Sequence, residues 1–300
     1  MTRSVPQSRF LAPATLAAIH DLRLVARRVV EGFLAGEHVD RRPGAGIEFS
    51  QYRGFEPGDD PRTIDWRAYA RSDRFYVREA EVERDITVRL VLDATASMAH
   101  EDGGVRKLDY GRMLTAALAY LADRQGDRVS FHAVLDGTTA DLPARRGRRG
   151  LRRVLHRLEG IAPSGAWPPW ETLGRRITNV REKELVVVVG DLYDRGPEMR
   201  RGLATLRTLG HEVLVLHLMA RNELDFTYRG DLAFEDLETG AIVRGNAEAM
   251  RPGYLERLGA SLERWRVELL EAGVTYELLA LDRPLDLALR SFLLRRGRLP

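Results

Sequence analysis

The sequence predicts an α/β protein built on an open, mostly parallel β-sheet with helices on both faces. Three observations lead to this fold class. From residue 86 onward, short apolar runs alternate with longer amphipathic segments, the pattern of strand–helix–strand units. The apolar runs, such as Val-Leu-Val-Leu at 213–216, have no polar side, which is typical of strands covered on both faces. The chain of 300 residues is long enough to bury a large core.

The chain before residue 86 differs in character from the rest. Residues 11–36 carry apolar side chains at helical spacing and predict an amphipathic helix. Residues 37–80 are rich in Gly, Pro, Arg, Asp and aromatic residues, which indicates loops and short strands, the last of them over 74–78. We therefore expect two parts: 1–85, an N-terminal helix with a loop and strand segment, and 86–300, the α/β domain.

The elements of the second part follow from its periodicity. We expect strands over 86–92, 128–135, 184–190, 212–219 and 274–281. We expect helices over 107–124, 148–158, 170–180, 197–208 and 252–272.

Composition narrows the class of protein. With no cysteine, a disulfide framework and a thiolate metal site are both excluded. No apolar stretch approaches the roughly 20 residues needed to cross a bilayer, and the first residues lack the apolar core of a signal peptide. We therefore expect a cytoplasmic protein without a membrane span.

Polar side chains follow two of the predicted strands. Asp93, Thr95 and Ser97 come directly after the first strand, and Asp191 follows the third. Open α/β sheets bind ligands at the carboxyl ends of their strands, and carboxylate and hydroxyl oxygens are ligands of hard cations. The pattern predicts a Mg²⁺ or Mn²⁺ site made of these four residues. The alternative is that Asp93 and Ser97 only cap the backbone that follows them.

Two segments carry a resemblance to a known family. Residues 52–71, YRGFEPGDDPRTIDWRAYAR, resemble the signature of the bacterial "domain of unknown function 58" family. Residues 93–98, DATASM, resemble that family's von Willebrand factor A-like strand-end motif. The resemblance implies a Rossmann-like, von Willebrand A-type fold, a metal-ion-dependent adhesion site and a MoxR-type AAA+ ATPase as partner. It also implies a protein-binding or assembly factor rather than an enzyme.

The sequence departs from this pattern at the loop that supplies the third hydroxyl ligand. In von Willebrand A-type sites a threonine stands six residues before a helical leucine, and counting back from Leu173 reaches Trp167. The loop ligand is therefore missing, and the segment reads Trp167-Pro168-Pro169-Trp170. If they are exposed, Trp167 and Trp170 would form a partner-binding surface. If they are buried, they pack the core.

The family-like segment offers a second partner-binding surface. Arg53, Arg62 and Arg71 have carboxylates close by in sequence and could form bidentate Arg–carboxylate pairs. Such a network would either present a docking surface or clamp the N-terminal part onto the sheet. The sequence leaves both alternatives open.

Two other functions compete with protein binding. A metal-dependent phosphohydrolase would use Asp93 as nucleophile, but the acid/base position two residues later holds Thr95 rather than an aspartate. A nucleic-acid binder would use the arginines of 145–153, but no aromatic residue lies among them for base stacking. Solvated arginines in a loop that runs into a helix explain that cluster equally well.

Overall fold

The computed structural model describes the chain almost continuously from residue 86 and in short stretches before it. The described residues are 13, 16, 21–40, 52–54, 69, 75–78, 86–135, 138–171, 174, 182–193 and 196–296. The chain divides into two compact units: Leu34–Arg84, and a larger unit made of Met1–Phe33 with Asp85–Pro300. The larger unit contains the predicted α/β domain.

The described residues form strands in both units of the chain. In chain order, the strands are β1 (Tyr52–Gly54), β2 (Tyr76–Arg78), β3 (Thr87–Asp93), β4 (Glu101–Asp102), β5 (Val105–Arg106), β6 (Arg128–Leu135), β7 (Thr138–Arg146), β8 (Glu184–Gly190), β9 (Glu212–Met219), β10 (Asp231–Glu235), β11 (Ile242–Asn246) and β12 (Thr275–Ala280). The helices are α1 (Leu22–Asp40), α2 (Lys107–Arg124), α3 (Gly147–Glu159), α4 (Gly196–Thr208), α5 (Arg221–Asp225), α6 (Ala247–Glu271) and α7 (Asp286–Arg296).

Six of these strands form one sheet in the order β12-β9-β8-β3-β6-β7. All neighbours are parallel except β6 and β7, which are antiparallel. After β3 the chain crosses to β6 on one side, and after β8 it crosses to β9 on the other. The crevice between the carboxyl ends of β3 and β8 is therefore the switch point at which such sheets bind ligands.

Helices cover both faces of the sheet. On one face, the buried core includes Val91, Val186 and Val188 from the strands, with Leu203 of α4 and Trp265 of α6. On the other face, α2 lies close to β3, β6 and β9, and α3 and α7 pack beside it. This arrangement confirms the predicted fold class, because strands with no polar side need cover on both faces.

Among the described residues between 13 and 40, apolar side chains form a helical stripe. Helix α1 begins at Leu22, and its buried face carries Val25, Val29 and Phe33 at the predicted spacing. Leu16 is also helical and buried. In the smaller unit, β1 and β2 pair antiparallel, and β2 lies within the strand predicted over 74–78.

Several described elements were not predicted, among them three strands and a helix. Strand β7 extends the sheet where a loop was expected, β10 and β11 form an antiparallel hairpin, and α7 follows the last strand. Of the helix expected over 170–180, residues 170, 171 and 174 are helical, and the others lie outside the described residues. Within the described ranges, no helix combines the length and the apolar content that crossing a membrane requires.

Candidate functional site

The structure brings the four predicted metal-site residues together in the crevice. Asp93 is the last residue of β3, and Asp191 follows the last residue of β8. Gly190 makes this approach possible, because a Cβ atom at that position would lie 2.4 Å from the Cβ of Asp93. Asp93 is 0% exposed and Asp191 is 1% exposed, so both carboxyl groups are removed from solvent.

The carboxylate of Asp93 is fully engaged by protein donors. The backbone N–H and the hydroxyl of Thr95 donate to Oδ1 at 2.9 and 2.8 Å. The indole Nε1–H of Trp167 donates to Oδ2 at 2.8 Å. A buried carboxylate requires such donors, because leaving one unsatisfied costs on the order of 1–3 kcal/mol.

The loop after β3 is held in place by the loop that carries Trp167. Ala94 accepts a hydrogen bond from the backbone N–H of Ser164, and Ala96 donates one to the carbonyl of Gly165, both at 2.9 Å. Gly165 has a φ of +65°, a conformation that favours glycine. These bonds fix where the indole of Trp167 lies relative to Asp93.

The hydroxyls of the strand-end motif link the two carboxylates. Thr95 Oγ1 lies 3.1 Å from Ser97 Oγ, and Ser97 donates to Asp191 Oδ1 at 3.1 Å. Thr95 is fully buried, whereas Ser97 is half-buried and lies nearer the surface. Each hydroxyl has one hydrogen and donates it to a carboxylate, so the Thr95–Ser97 approach is a polar contact between two acceptors. A chain of polar contacts therefore runs from Trp167 through Asp93, Thr95 and Ser97 to Asp191.

The structure adds a charged residue that sequence reasoning missed. Lys107, the first residue of α2, extends its ammonium into the crevice and is 1% exposed. Its Nζ donates to Asp191 Oδ2 at 3.0 Å and to Glu223 Oε1 at 2.7 Å. The one signal in the sequence is composition, because Lys107 is one of only two lysines among 47 basic residues.

Two further residues enclose this ammonium. Glu223, on α5, also accepts the backbone N–H of Ala220 at 2.8 Å and so fixes the start of that helix. The ring centroid of Tyr193 lies 4.7 Å from Lys107 Nζ, which is cation–π distance. The Tyr193 hydroxyl donates to Glu223 at 3.2 Å, yet the residue as a whole is 48% exposed. Tyr193 therefore covers Lys107 and presents its ring to solvent.

Burial and charge shift the pKa values of this cluster. Burial, and then the nearby Asp191, raise the pKa of Asp93 to about 7 against the hydrogen bonds from Thr95 and Trp167. Burial lowers the pKa of Lys107, but Asp191 and Glu223 outweigh it, so the pKa lies above its ordinary value. Lys107 therefore remains an ammonium ion at neutral pH.

The donor set in this arrangement does not fit a divalent cation. Both oxygens of Asp93 already accept hydrogen bonds, and the indole of Trp167 is a donor that cannot act as a ligand. The ammonium of Lys107 lies against Asp191 and would repel a second positive charge. Within the described part of the chain, no three His, Cys, Asp or Glu side chains are grouped to hold a metal ion. Mg²⁺ or Mn²⁺ binding stays a prediction for titration to decide.

The two tryptophans have different environments. Trp167 is 3% exposed and belongs to the core cluster between the sheet and α4, so it packs the core as well as donating to Asp93. This corrects its assignment to a partner-binding surface. Trp170 is half-buried and packs against the same cluster, with its backbone N–H donated to Glu198.

The remaining predicted residues lie elsewhere. Arg53 is in β1, in the smaller unit, whereas Arg62 and Arg71 lie outside the described residues, so their partner-binding role stays a prediction. The arginines at 145–153 occupy the end of β7 and the first half of α3. All six are exposed: Arg145, Arg146, Arg148, Arg149, Arg152 and Arg153.

Comparison with known families identifies the chain. The family described as "Protein of unknown function DUF58" matches residues 51–263, which span the strand-end motif and both halves of the crevice. The chain belongs to this family. The uncharacterized protein Rv1480 of Mycobacterium tuberculosis is 27% identical over 248 residues, covering 77% of this chain and 73% of that protein.

Solved structures similar to this DUF58 protein are distant from it in sequence. BatB, a conserved hypothetical protein from Bacteroides thetaiotaomicron, has a TM-score of 0.47 and 13% identity, covering 71% of this chain and 99% of that one. An aerotolerance-related membrane protein from Bacteroides fragilis has a TM-score of 0.46 and 16% identity at the same coverage. At these scores the fold assignment rests on the sheet described above.

Proposed function

We propose that this DUF58 protein is a non-enzymatic protein-binding factor that acts with a MoxR-type AAA+ ATPase. Its binding face is the rim of the crevice at the carboxyl edge of the sheet. The observation that carries the proposal is an exposed aromatic ring over a polar cluster whose groups satisfy one another. Tyr193 lies at this rim with half its surface exposed, and exposed tyrosines are frequent interface anchors.

The state of the buried groups supports binding rather than catalysis. A nucleophile and its base must both reach a substrate, and a nucleophilic carboxylate needs a free oxygen. Asp93 and Thr95 are each 0% exposed, and both oxygens of Asp93 accept hydrogen bonds. These features weigh against the phosphohydrolase alternative, in which Asp93 attacks a phosphoryl group.

The choice of an ATPase as partner comes from the family resemblance. The MoxR-type ATPases are the partners that the DUF58 signature implies, and the exposed arginines of 145–153 are a separate surface.

The experiment is a binding titration between the purified protein and a purified MoxR-type ATPase from the same genome. Ala99, exposed on the short 3₁₀ helix Ala96–Ala99, allows a blocking substitution that removes no internal contact. We expect Ala99→Glu and Tyr193→Ala to weaken the affinity by about tenfold or more.

Ala260→Glu is the matched control, because Ala260 is also exposed and lies within α6. It should bind like the unchanged protein. Equal binding by all variants would show that the rim is not the binding face. Turnover of a phosphoester by the unchanged protein, lost in Asp93→Asn, would show that the protein is an enzyme.

A nucleic-acid function has one observation in its favour, the exposure of all six arginines in 145–153. Affinity for DNA or RNA through this cluster would fall steeply with rising salt, because each phosphate contact releases counterions. We expect no steep dependence of affinity on salt concentration. A steep dependence whose slope is reduced by Arg149→Ser would support the nucleic-acid alternative.

A further inference from the structure

The crevice contains a positive charge of its own. The ammonium of Lys107 is 1% exposed and contacts carboxylates from two elements, Asp191 after β8 and Glu223 on α5. An isolated ammonium at this depth would be strongly unfavourable, so its place depends on these carboxylates. The same carboxylates would repel each other without it.

A lysine suits the position between these two carboxylates better than an arginine would. Nearly every basic residue of the chain is arginine, and the other lysine, Lys183, is exposed. An ammonium is a compact point charge with rotatable donors, whereas a guanidinium is planar and needs more room. The side chain of Lys107 extends from the first residue of α2. It therefore places a small, ion-like charge between two carboxylates.

The loop that carries Trp167 provides a second group in the place of a metal ligand. Where the resemblance to von Willebrand A-type metal sites implies a threonine hydroxyl that can coordinate a metal, this chain has the indole of Trp167. That indole donates to Asp93 Oδ2 at 2.8 Å, so it satisfies the carboxylate directly. One aspartate thus has its oxygens satisfied by hydrogen bonds from an indole and a threonine, and the other is paired with an ammonium ion.

We propose that the ammonium of Lys107 and the indole of Trp167 replace the divalent cation of an adhesion site, so that this crevice is complete without metal. The inference concerns the same face as the proposed function and rests on it only for the biological consequence, which is partner binding that does not depend on Mg²⁺.

The test is a metal titration of the protein alone. Mn²⁺ is added to chelator-treated protein, bound ion is followed by the loss of the free-ion electron paramagnetic resonance signal, and Mg²⁺ is titrated by calorimetry. We expect no saturable binding to the unchanged protein at millimolar metal, and no change in melting temperature with either ion.

Removing the built-in charge should restore a cation site. Lys107→Met keeps the stem but leaves Asp191 and Glu223 unneutralised, and we expect Mn²⁺ affinity to rise at least tenfold and Mn²⁺ to raise the melting temperature. Adding Trp167→Thr returns the loop hydroxyl and should strengthen binding further. Lys183→Met, at the other lysine, should behave as the unchanged protein.

Two results would overturn the inference. One is stoichiometric metal binding by the unchanged protein that Asp191→Asn abolishes. The other is a Lys107→Met variant that folds but binds Mn²⁺ no more tightly than the unchanged protein does. If Lys107→Met does not fold, the titration of the unchanged protein decides alone. Absence of metal binding then supports the inference, and metal binding refutes it. Because no ATPase is present in these measurements, a failed partner experiment leaves their outcome unaffected.

Discussion

At the scale of single residues, the hydrogen bond from Trp167 to Asp93 determines the state of the crevice. Trp167→Phe keeps most of the buried ring but removes the donor at 2.8 Å. We expect the free energy of unfolding to fall by about 2 kcal/mol or more, because a buried carboxyl loses a partner. Chemical denaturation followed by circular dichroism measures this change.

A double-mutant cycle separates the hydrogen bond from the lost ring volume. We expect a coupling energy of at least about 1 kcal/mol between Trp167→Phe and Asp93→Asn, since the two groups are in contact. Trp265→Phe is the matched control, because Trp265 is also 3% exposed. Trp265→Phe should show no coupling to Asp93→Asn, and an equal coupling would contradict the assignment.

The same residues show how far the sequence predicted the site. Asp93, Thr95, Ser97 and Asp191 are recognisable because a strand end fixes a local position, and the parallel sheet brings two such ends together. The contact of Lys107 with Asp191 spans 84 positions, and that of Trp167 with Asp93 spans 74. Such contacts depend on how helices and loops are placed around the sheet, and a single sequence contains no pattern that predicts this placement.

At the scale of elements, two helical glycines have opposite surroundings. A Cβ atom at Gly202 in α4 would lie 2.1 Å from the ring of Trp170, whereas one at Gly259 in α6 would meet nothing within 4 Å. We expect Gly259→Ala to stabilise the protein by about 0.5–1 kcal/mol through helix propensity. Gly202→Ala should lower the melting temperature despite the same propensity gain, and a rise would show that the Trp170 ring yields easily.

Helix α7 is anchored by a buried ion pair. Arg296, in the last turn of α7, donates to both carboxylate oxygens of Asp127 at 2.6 and 2.9 Å, and the Asp127 side chain is 0% exposed. We expect Arg296→Ala to cost about 3 kcal/mol, because it leaves a buried carboxylate without its cation. Hydrogen exchange should accelerate within α7.

The matched control for this pair is Arg266→Ala. Arg266 also binds Glu263 through two hydrogen bonds, at 3.0 and 3.1 Å, but both side chains are more than half exposed. Solvent screens such pairs, so stability and exchange should not change. Equal losses in the two variants would indicate that packing of the arginine stem, rather than the buried charge, holds α7.

Element prediction succeeded where hydrophobic periodicity was strong and failed where it was weak. Strands β6, β8 and β9 have the bounds that were predicted for them, because apolar residues predominate in each and turn residues flank them. Strand β7 pairs with β6 although its sequence, TTADLPARR, contains proline and two arginines. It is an edge strand, so only one side of its backbone is paired and its composition resembles that of a loop.

At the scale of the whole molecule, buried histidines make stability depend on pH. His132 on β6 faces Arg89 of β3 at 2.9 Å, Asp141 of β7 at 2.9 Å, and the nearby Glu184 of β8. Burial, and then Arg89, lower the pKa of His132 below 6.5 in spite of the two carboxylates. The folded state therefore holds His132 neutral where the unfolded chain binds a proton.

The sign of the effect follows from that difference in proton binding. Above pH 6.5 both states hold His132 neutral, and its contribution to stability is complete. As the pH falls through 6.5 toward the folded-state pKa, protonation of the unfolded chain removes that contribution. We expect stability, measured by denaturation from pH 8 to pH 5, to fall more steeply in the unchanged protein than in His132→Gln. His156→Gln, at a side chain that is 92% exposed, should leave the slope unchanged. Parallel curves for the unchanged protein and His132→Gln would mean that Asp141 and Glu184 fully offset burial and Arg89, so that folding leaves the pKa of His132 unchanged.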